Sequence, residues 1–80
     1  MKVKVKCFSQ VKYHLGVDEL ILQLEEGSTT VDVENNIRSR ACDQLKNVSL
    51  RVAVNRKYTP EVVELKEGDE VALIPPVQGG

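Results

Sequence analysis

The sequence predicts an α+β domain, a mixed sheet of four to five strands with one main helix packed across it. Three observations lead there. Residues 2–8, 19–25 and 50–55 alternate apolar and polar side chains with period two, the mark of half-buried strands. Between the second and third of these, Val33, Ile37, Ala41 and Leu45 recur at four-residue steps, the stripe of an amphipathic helix. Finally, Glu70-Val71-Ala72-Leu73-Ile74 is apolar on both faces, as a central strand must be. Two strands, a helix, then further strands ending in a central one make the first and last strands parallel neighbours in the middle of the sheet, with the helix across its inner face.

The first strand, Lys2-Val-Lys-Val-Lys-Cys-Phe8, sets Val3, Val5 and Cys7 on one face and Lys2, Lys4, Lys6 and Phe8 on the other. Lysines on a strand are ordinarily a solvated face, so Phe8 is the odd member and a candidate contact residue. From Ser9 to Gly16 the alternation is broken, and Gly16 followed by Val17-Asp18 reads as a turn. Val17 to Leu24 then returns against the first strand as a hairpin, with Leu20, Leu22 and Leu24 on one face. Ser28-Thr29-Thr30 offers N-cap hydroxyls, and Asp32 stands three residues after Thr29 in the manner of a capping box, so the helix starts there. Arg38, Arg40 and Lys46 favour its negative end. Leu50, Val52 and Val54 point inward, Asn55-Arg56-Lys57 reverses the chain into Tyr58, and Thr59-Pro60 interrupts. Glu61 to Leu65 is ambiguous between strand and loop. Lys66-Glu67-Gly68-Asp69 is a turn with glycine where a positive φ is needed.

Eighty residues form one domain with a small core, which makes a deep substrate pocket an unsuitable expectation. Eleven basic against twelve acidic residues argue against a protein that lives by neutralising phosphates, so no nucleic-acid partner is expected. No apolar run approaches the ~20 residues of a membrane span, and the lysine-rich start lacks the apolar stretch of a signal peptide; the expected location is the cytoplasm, with no membrane partner. Cys7 and Cys42 stand apart without a Cys-x-x-Cys, and His14 is the only histidine, so neither a metal site nor a bound cofactor is expected. No Ser/His/Asp set, carboxylate pair or glycine-rich phosphate loop has a spacing that suggests catalysis by the chain itself.

Residues 1–74 are thus read as the domain and residues 75–80, Pro75-Pro76-Val77-Gln78-Gly79-Gly80, as a flexible tail. Proline has no N–H for a ladder, so Pro75-Pro76 ends the last strand and starts the tail stiffly. Gly79 and Gly80 carry no Cβ and make a narrow end whose carboxylate is unshielded. At ~3.3–3.6 Å per residue the tail reaches roughly 20 Å, enough to cross a partner's surface and enter a slot in it. If alternation puts Phe8 outward from the first strand and Ile74 outward from the last, the two lie side by side on the face away from the helix, where Tyr58 can join them as a partner-binding patch.

The order of elements, ended by Gly-Gly, resembles the β-grasp fold of ubiquitin-like proteins. More narrowly, Gly68-Asp69-Glu70-Val71-Ala72, Leu73-Ile74 and the Pro75-Pro76-Val77-Gln78-Gly79-Gly80 ending resemble the small-subunit family of molybdopterin synthase, which are sulfur carriers. Phe8-Ser9-Gln10-Val11-Lys12 and Ala53-Val54-Asn55 match that family too, whereas Lys12-Tyr13-His14 departs from its common Arg-Glu-Leu. The resemblance implies that an E1-like adenylating enzyme uses ATP to activate the carboxylate of Gly80. Sulfur then replaces one oxygen to give a thiocarboxylate. The tail next enters the large subunit of the synthase, with which the carrier forms a heterotetramer, and gives its sulfur to cyclic pyranopterin monophosphate in molybdenum cofactor biosynthesis. The large subunit supplies the catalytic groups. Gly-Gly endings are shared with carriers for thiazole synthesis and tRNA thiolation and with ubiquitin-like protein modifiers, and these are the alternatives.

Overall fold

The computed structural model describes residues 1–42 and 44–75. In chain order its elements are β1 (Lys2–Cys7), α1 (Ser9–Leu15), β2 (Glu19–Gln23), α2 (Thr30–Arg40), β3 (Arg51–Val54), β4 (Lys57–Tyr58) and β5 (Glu70–Ile74). The five strands form one mixed sheet in the order β2-β1-β5-β3-β4. β1 and β5 are its parallel centre, with Val5 opposite Val71 and Cys7 opposite Leu73. β2 lies antiparallel on β1 and β3 antiparallel on β5. The expected α+β architecture and central parallel pair are both present.

The reason lies in the two faces of the central strands. Val3, Val5, Cys7, Val71 and Leu73 are fully or almost fully buried, and α2 adds Val33 and Ile37 to the same core. Residues between them on β1 are lysines, which hold the opposite face toward solvent. Burying side chains of this size stabilises the fold by ~1.5–3 kcal/mol each, the main return for ordering so short a chain.

α2 begins at the expected capping box: the Thr29 N–H donates to Asp32 Oδ2 at 2.8 Å. Its stripe is shorter than expected, however. The helix ends at Arg40, Ala41 is its C-cap, and Leu45 reaches the core from the turns that follow. Arg38 explains how those turns hold Leu45 in place. Its guanidinium is paired with Glu34 at 2.9 Å and donates to the carbonyls of Leu45 and Val48, so a helical side chain closes the loop in place of another helical turn.

Where the alternation breaks after Phe8, the structure has an element that the sequence reading left unassigned, the helix Ser9–Leu15. Val11 is buried and Leu15, four residues on, is packed against the core, while Gly16 ends the helix at φ 76° with its N–H on the Lys12 carbonyl at 2.8 Å. That is an αL cap, which favours glycine. The ambiguous stretch after Pro60 is irregular chain joined to the start of α2. Thr30 and Val63 exchange hydrogen bonds, and the Leu65 N–H donates to the Ser28 carbonyl at 2.8 Å, which carries Leu65 into the core. The turn before β5 holds Gly68 at φ 84°, as its sequence requires.

Candidate functional site

β5 runs up the middle of the sheet and ends at Ile74, and Pro75 beyond it is buried. The candidate site is the sheet face opposite α2 at that end. Register defines it. Ile74 stands opposite Arg51, and Ala72 opposite Ala53, which in turn faces Tyr58 across the short β3–β4 hairpin. Ile74, Arg51 and Tyr58 are therefore on one face. The Arg51 guanidinium lies over the Tyr58 ring, 5.7 Å from its centre, an arrangement that orders both side chains at an exposed position.

On the other flank, Cys7 pairs with Leu73, so Phe8 leaves β1 at the level of Ile74. Phe8 is not in the strand but caps the start of α1 with an extended backbone, and its ring stays 45% exposed. Tyr58 is 61% and Ile74 38% exposed. The face carries small residues between these larger ones, since Ala72 and Ala53 lie in the middle of the register. Phe8, Lys6, Lys12, Asp18 and Glu19 line a hollow of about 370 Å³ beside it. Charges of both signs therefore flank Phe8, from Lys6, Lys12, Asp18 and Glu19, while Arg51 stands beside Ile74.

Lys6 is held in its charged form. Its Nζ donates to Glu19 Oε1 at 3.1 Å, and that hydrogen bond, followed by the attraction of the same carboxylate, raises the lysine pKa above its ordinary value. Glu19 also stands 3.9 Å from Lys4, so one carboxylate serves two of the three lysines of β1. Cys7 is at the edge of this region but buried, and its thiol is pushed up in pKa, first by burial and then by the negative charge of Asp18. It is a packing residue. His14 stacks edge-on against Tyr13 on α1 and takes no part in the face.

Among the sequence-predicted site residues, Phe8, Tyr58, Ile74 and Pro75 are thus placed around the end of β5. Pro76, Val77, Gln78, Gly79 and Gly80 lie outside the described residues. Arg51 was missed by sequence reasoning, although the inward assignment of Leu50 and Val52 already pointed it outward; what alternation could not supply was the register that sets it opposite Ile74. Among the described residues no helix is long and apolar enough to cross a membrane, and no group of three or more His, Cys, Asp or Glu is placed to hold a metal ion.

The ThiS family model matches residues 5–80. The chain belongs to the ThiS family. Within reach of this family match are molybdopterin synthase sulfur carrier subunits: that of Chlamydomonas reinhardtii is 37% identical over 84 residues, covering 100% of both chains, and that of Haemophilus influenzae is 33% identical, covering 98% of this chain and 99% of its own. Among solved structures, a Pyrococcus furiosus protein described as molybdopterin converting factor, subunit 1, superposes with a TM-score of 0.84 at 34% identity, covering 96% of this chain and 99% of that one. Subunit 1 in a complex of subunits 1 and 2 of the molybdopterin-converting factor of Helicobacter pylori shares the fold, with a TM-score of 0.66 at 22% identity over 100% of both chains. This ThiS family member therefore has the ubiquitin-like β-grasp fold, and the resemblance to molybdopterin synthase small subunits extends over its whole length.

Proposed function

We propose that this chain is the sulfur carrier subunit of a molybdopterin synthase. The observation that carries the reading is the family match running to residue 80 together with relatives of the same role aligned along the full chain. The chemistry then falls on Gly80. A carboxylate is a poor electrophile, so an E1-like enzyme joins it to the α-phosphate of ATP, releasing pyrophosphate and leaving a mixed anhydride with AMP. A sulfur nucleophile attacks the carbonyl carbon, AMP departs with the bonding pair, and the glycine keeps a thiocarboxylate. In the synthase that sulfur forms a C–S bond on the side chain of cyclic pyranopterin monophosphate as an oxygen substituent leaves with its bonding pair, water then cleaves the acyl–sulfur bond to return Gly80 to its carboxylate, and two such transfers supply the dithiolene.

The face around Phe8, Ile74 and Tyr58 is the docking surface in this reading, because it lies at the end of the strand from which residues 75–80 continue. Both the activating enzyme and the large subunit must hold the carrier while the tail is in their active sites, and one surface can serve each in turn. The Helicobacter pylori complex supports a large-subunit partner for this chain. The carrier is not expected to catalyse on its own, since the acid, base and phosphate-binding groups belong to the large subunit. ATP is a substrate of the activating partner.

The test is reconstitution with a molybdopterin synthase large subunit, an E1-like enzyme, ATP and a sulfur source, with formation of the dithiolene as the readout. The full chain supports product formation and a chain lacking Gly80 does not, while the two melt at nearly the same temperature because a tail end contributes little burial. Product formation by the chain lacking Gly80 would contradict the proposal, as would covalent ladders on lysines of other proteins in place of sulfur transfer.

A further inference from the structure

Lys4 and Lys6, on the outer face of the sheet, share the carboxylate of Glu19, and Arg38 commits its guanidinium to Glu34 and to the carbonyls of Leu45 and Val48. Arg51 differs from them. It is exposed, and no carboxylate pairs with it among the described residues. Its outer-face neighbours in the register are Ile74 directly opposite, Ala72 on the diagonal and Ala53 two residues along β3, all of them neutral. Glu34 and Glu61 border the same hollow of about 180 Å³ as Arg51, yet Glu34 is held by Arg38 and neither makes an ion pair with Arg51. What the guanidinium does meet is the Tyr58 ring, 5.7 Å from its carbon.

A guanidinium stacked on an aromatic ring has given up part of its side-chain freedom before any partner arrives, and its planar fork is left open to an acceptor with two oxygens. Ile74 and Tyr58 lie on either side of it, so a protein that covers both also takes Arg51 out of water. A charge buried without a counter-charge is strongly unfavourable, whereas the same charge against a well-placed carboxylate is not.

We propose that Arg51 is the specificity-determining residue of this face, and that the large subunit of the synthase sets a carboxylate in bidentate contact with it where that subunit covers Ile74 and Tyr58. The inference rests on the sulfur-carrier reading and its docking face, and adds the chemistry of the partner patch. That patch is apolar over Ile74, Ala72 and Ala53 and carries one acidic side chain at the level where β5 gives way to residues 75–80. A carrier without a cation at this position would leave the partner's carboxylate buried and unpaired, which is how the pair discriminates among carriers that all end in Gly-Gly.

Titration calorimetry of the full chain with a molybdopterin synthase large subunit, at low and high salt, tests this. Arg51→Gln should raise Kd about tenfold or more and flatten its salt dependence, since one charge-assisted pair is lost. Arg51→Lys keeps the charge without the fork and should remain about threefold weaker than the native chain. Arg51→Glu brings two carboxylates together and should bind about tenfold more weakly again than Arg51→Gln. Position 51 is exposed, so all three should melt close to the native chain. Native affinity in Arg51→Gln overturns the proposal, as does an Arg51→Glu chain that binds no more weakly than Arg51→Gln. Affinity lost only together with amide protection across β3 and β4 also overturns it, because the arginine would then merely hold the hairpin. Phe8→Glu measured alongside keeps the two readings apart: binding lost with Phe8→Glu but kept in the Arg51 variants sinks this inference alone, and binding indifferent to every one of them sinks the docking face as well. Gly80 is untouched throughout, so sulfur transfer is judged separately.

Discussion

At the scale of single residues, Phe8 is exposed as alternation along β1 anticipates, although it stands just past the strand as the N-cap of α1. A phenylalanine at that level of β1 had either to be buried or to face away from the helix, and it is 45% exposed. Phe8→Glu should therefore leave circular dichroism and most of the stability intact while weakening association with the activating enzyme and with the synthase large subunit by tenfold or more, a loss of about 1.4 kcal/mol or greater. Titration calorimetry checks both; unchanged affinity for the two partners, or unfolding of the variant, would contradict the assignment of the face. Cys7 makes the opposite kind of statement. Its folded pKa is raised by burial and by Asp18, so as pH climbs the unfolded chain loses the thiol proton first. The stabilisation is complete below the ordinary thiol pKa and is lost as pH rises through it toward the folded value. Urea midpoints measured from pH 7 to pH 10 should fall more steeply for the native chain than for Cys7→Ala.

At the scale of elements, α1 and the end of α2 show where sequence reasoning stops. Val11 and Leu15 are four residues apart and Gly16 follows, which is a helix signal, but the stretch is only two turns and its polar residues hide the period. The stripe through Val33, Ile37, Ala41 and Leu45 was legible, and every member is buried, yet the backbone leaves the helix at Arg40 because Arg38 offers the carbonyls of the following turns a better-fixed donor than another helical turn would. No local pattern encodes a contact of that range. Arg38→Met keeps the aliphatic stem but removes the charged donors, and should cost about 2 kcal/mol with loss of amide protection confined to residues 41–49. Uniform loss of protection, or none, would show that the loop is held otherwise. The β3–β4 reversal was legible as a turn, while its strain was not: Asn55 and Arg56 both have positive φ, which asparagine tolerates and arginine does not. Arg56→Gly should accordingly raise stability by up to about 1 kcal/mol in urea titration, and a destabilised variant would mean that the arginine side chain is itself holding the turn.

For the whole molecule, the order of strands around one principal helix and the parallel centre of β1 and β5 could be argued from the sequence because each rests on alternation and on a last strand apolar on both faces. The candidate site was legible in part. Exposure of Phe8, Ile74 and Tyr58 follows from parity, but the place of Arg51 beside them depends on the pairing of β3 with β5, a non-local fact. What the fold achieves is to bring the strand that leads into residues 75–80 up the centre of the sheet, beside the face on which partners are proposed to dock. If the chain works through the carboxylate of Gly80, as proposed, its intact mass must change when sulfur is loaded. The chain is incubated with ATP, an E1-like activating enzyme and a sulfur source, then weighed. The expected result is a gain equal to the difference between one sulfur and one oxygen atom, dependent on ATP, located by fragmentation at Gly80 and absent when one residue is appended after it. A chain whose mass is unchanged under conditions that thiolate a control carrier, or one that gains sulfur at Cys7 or Cys42 instead, would contradict it.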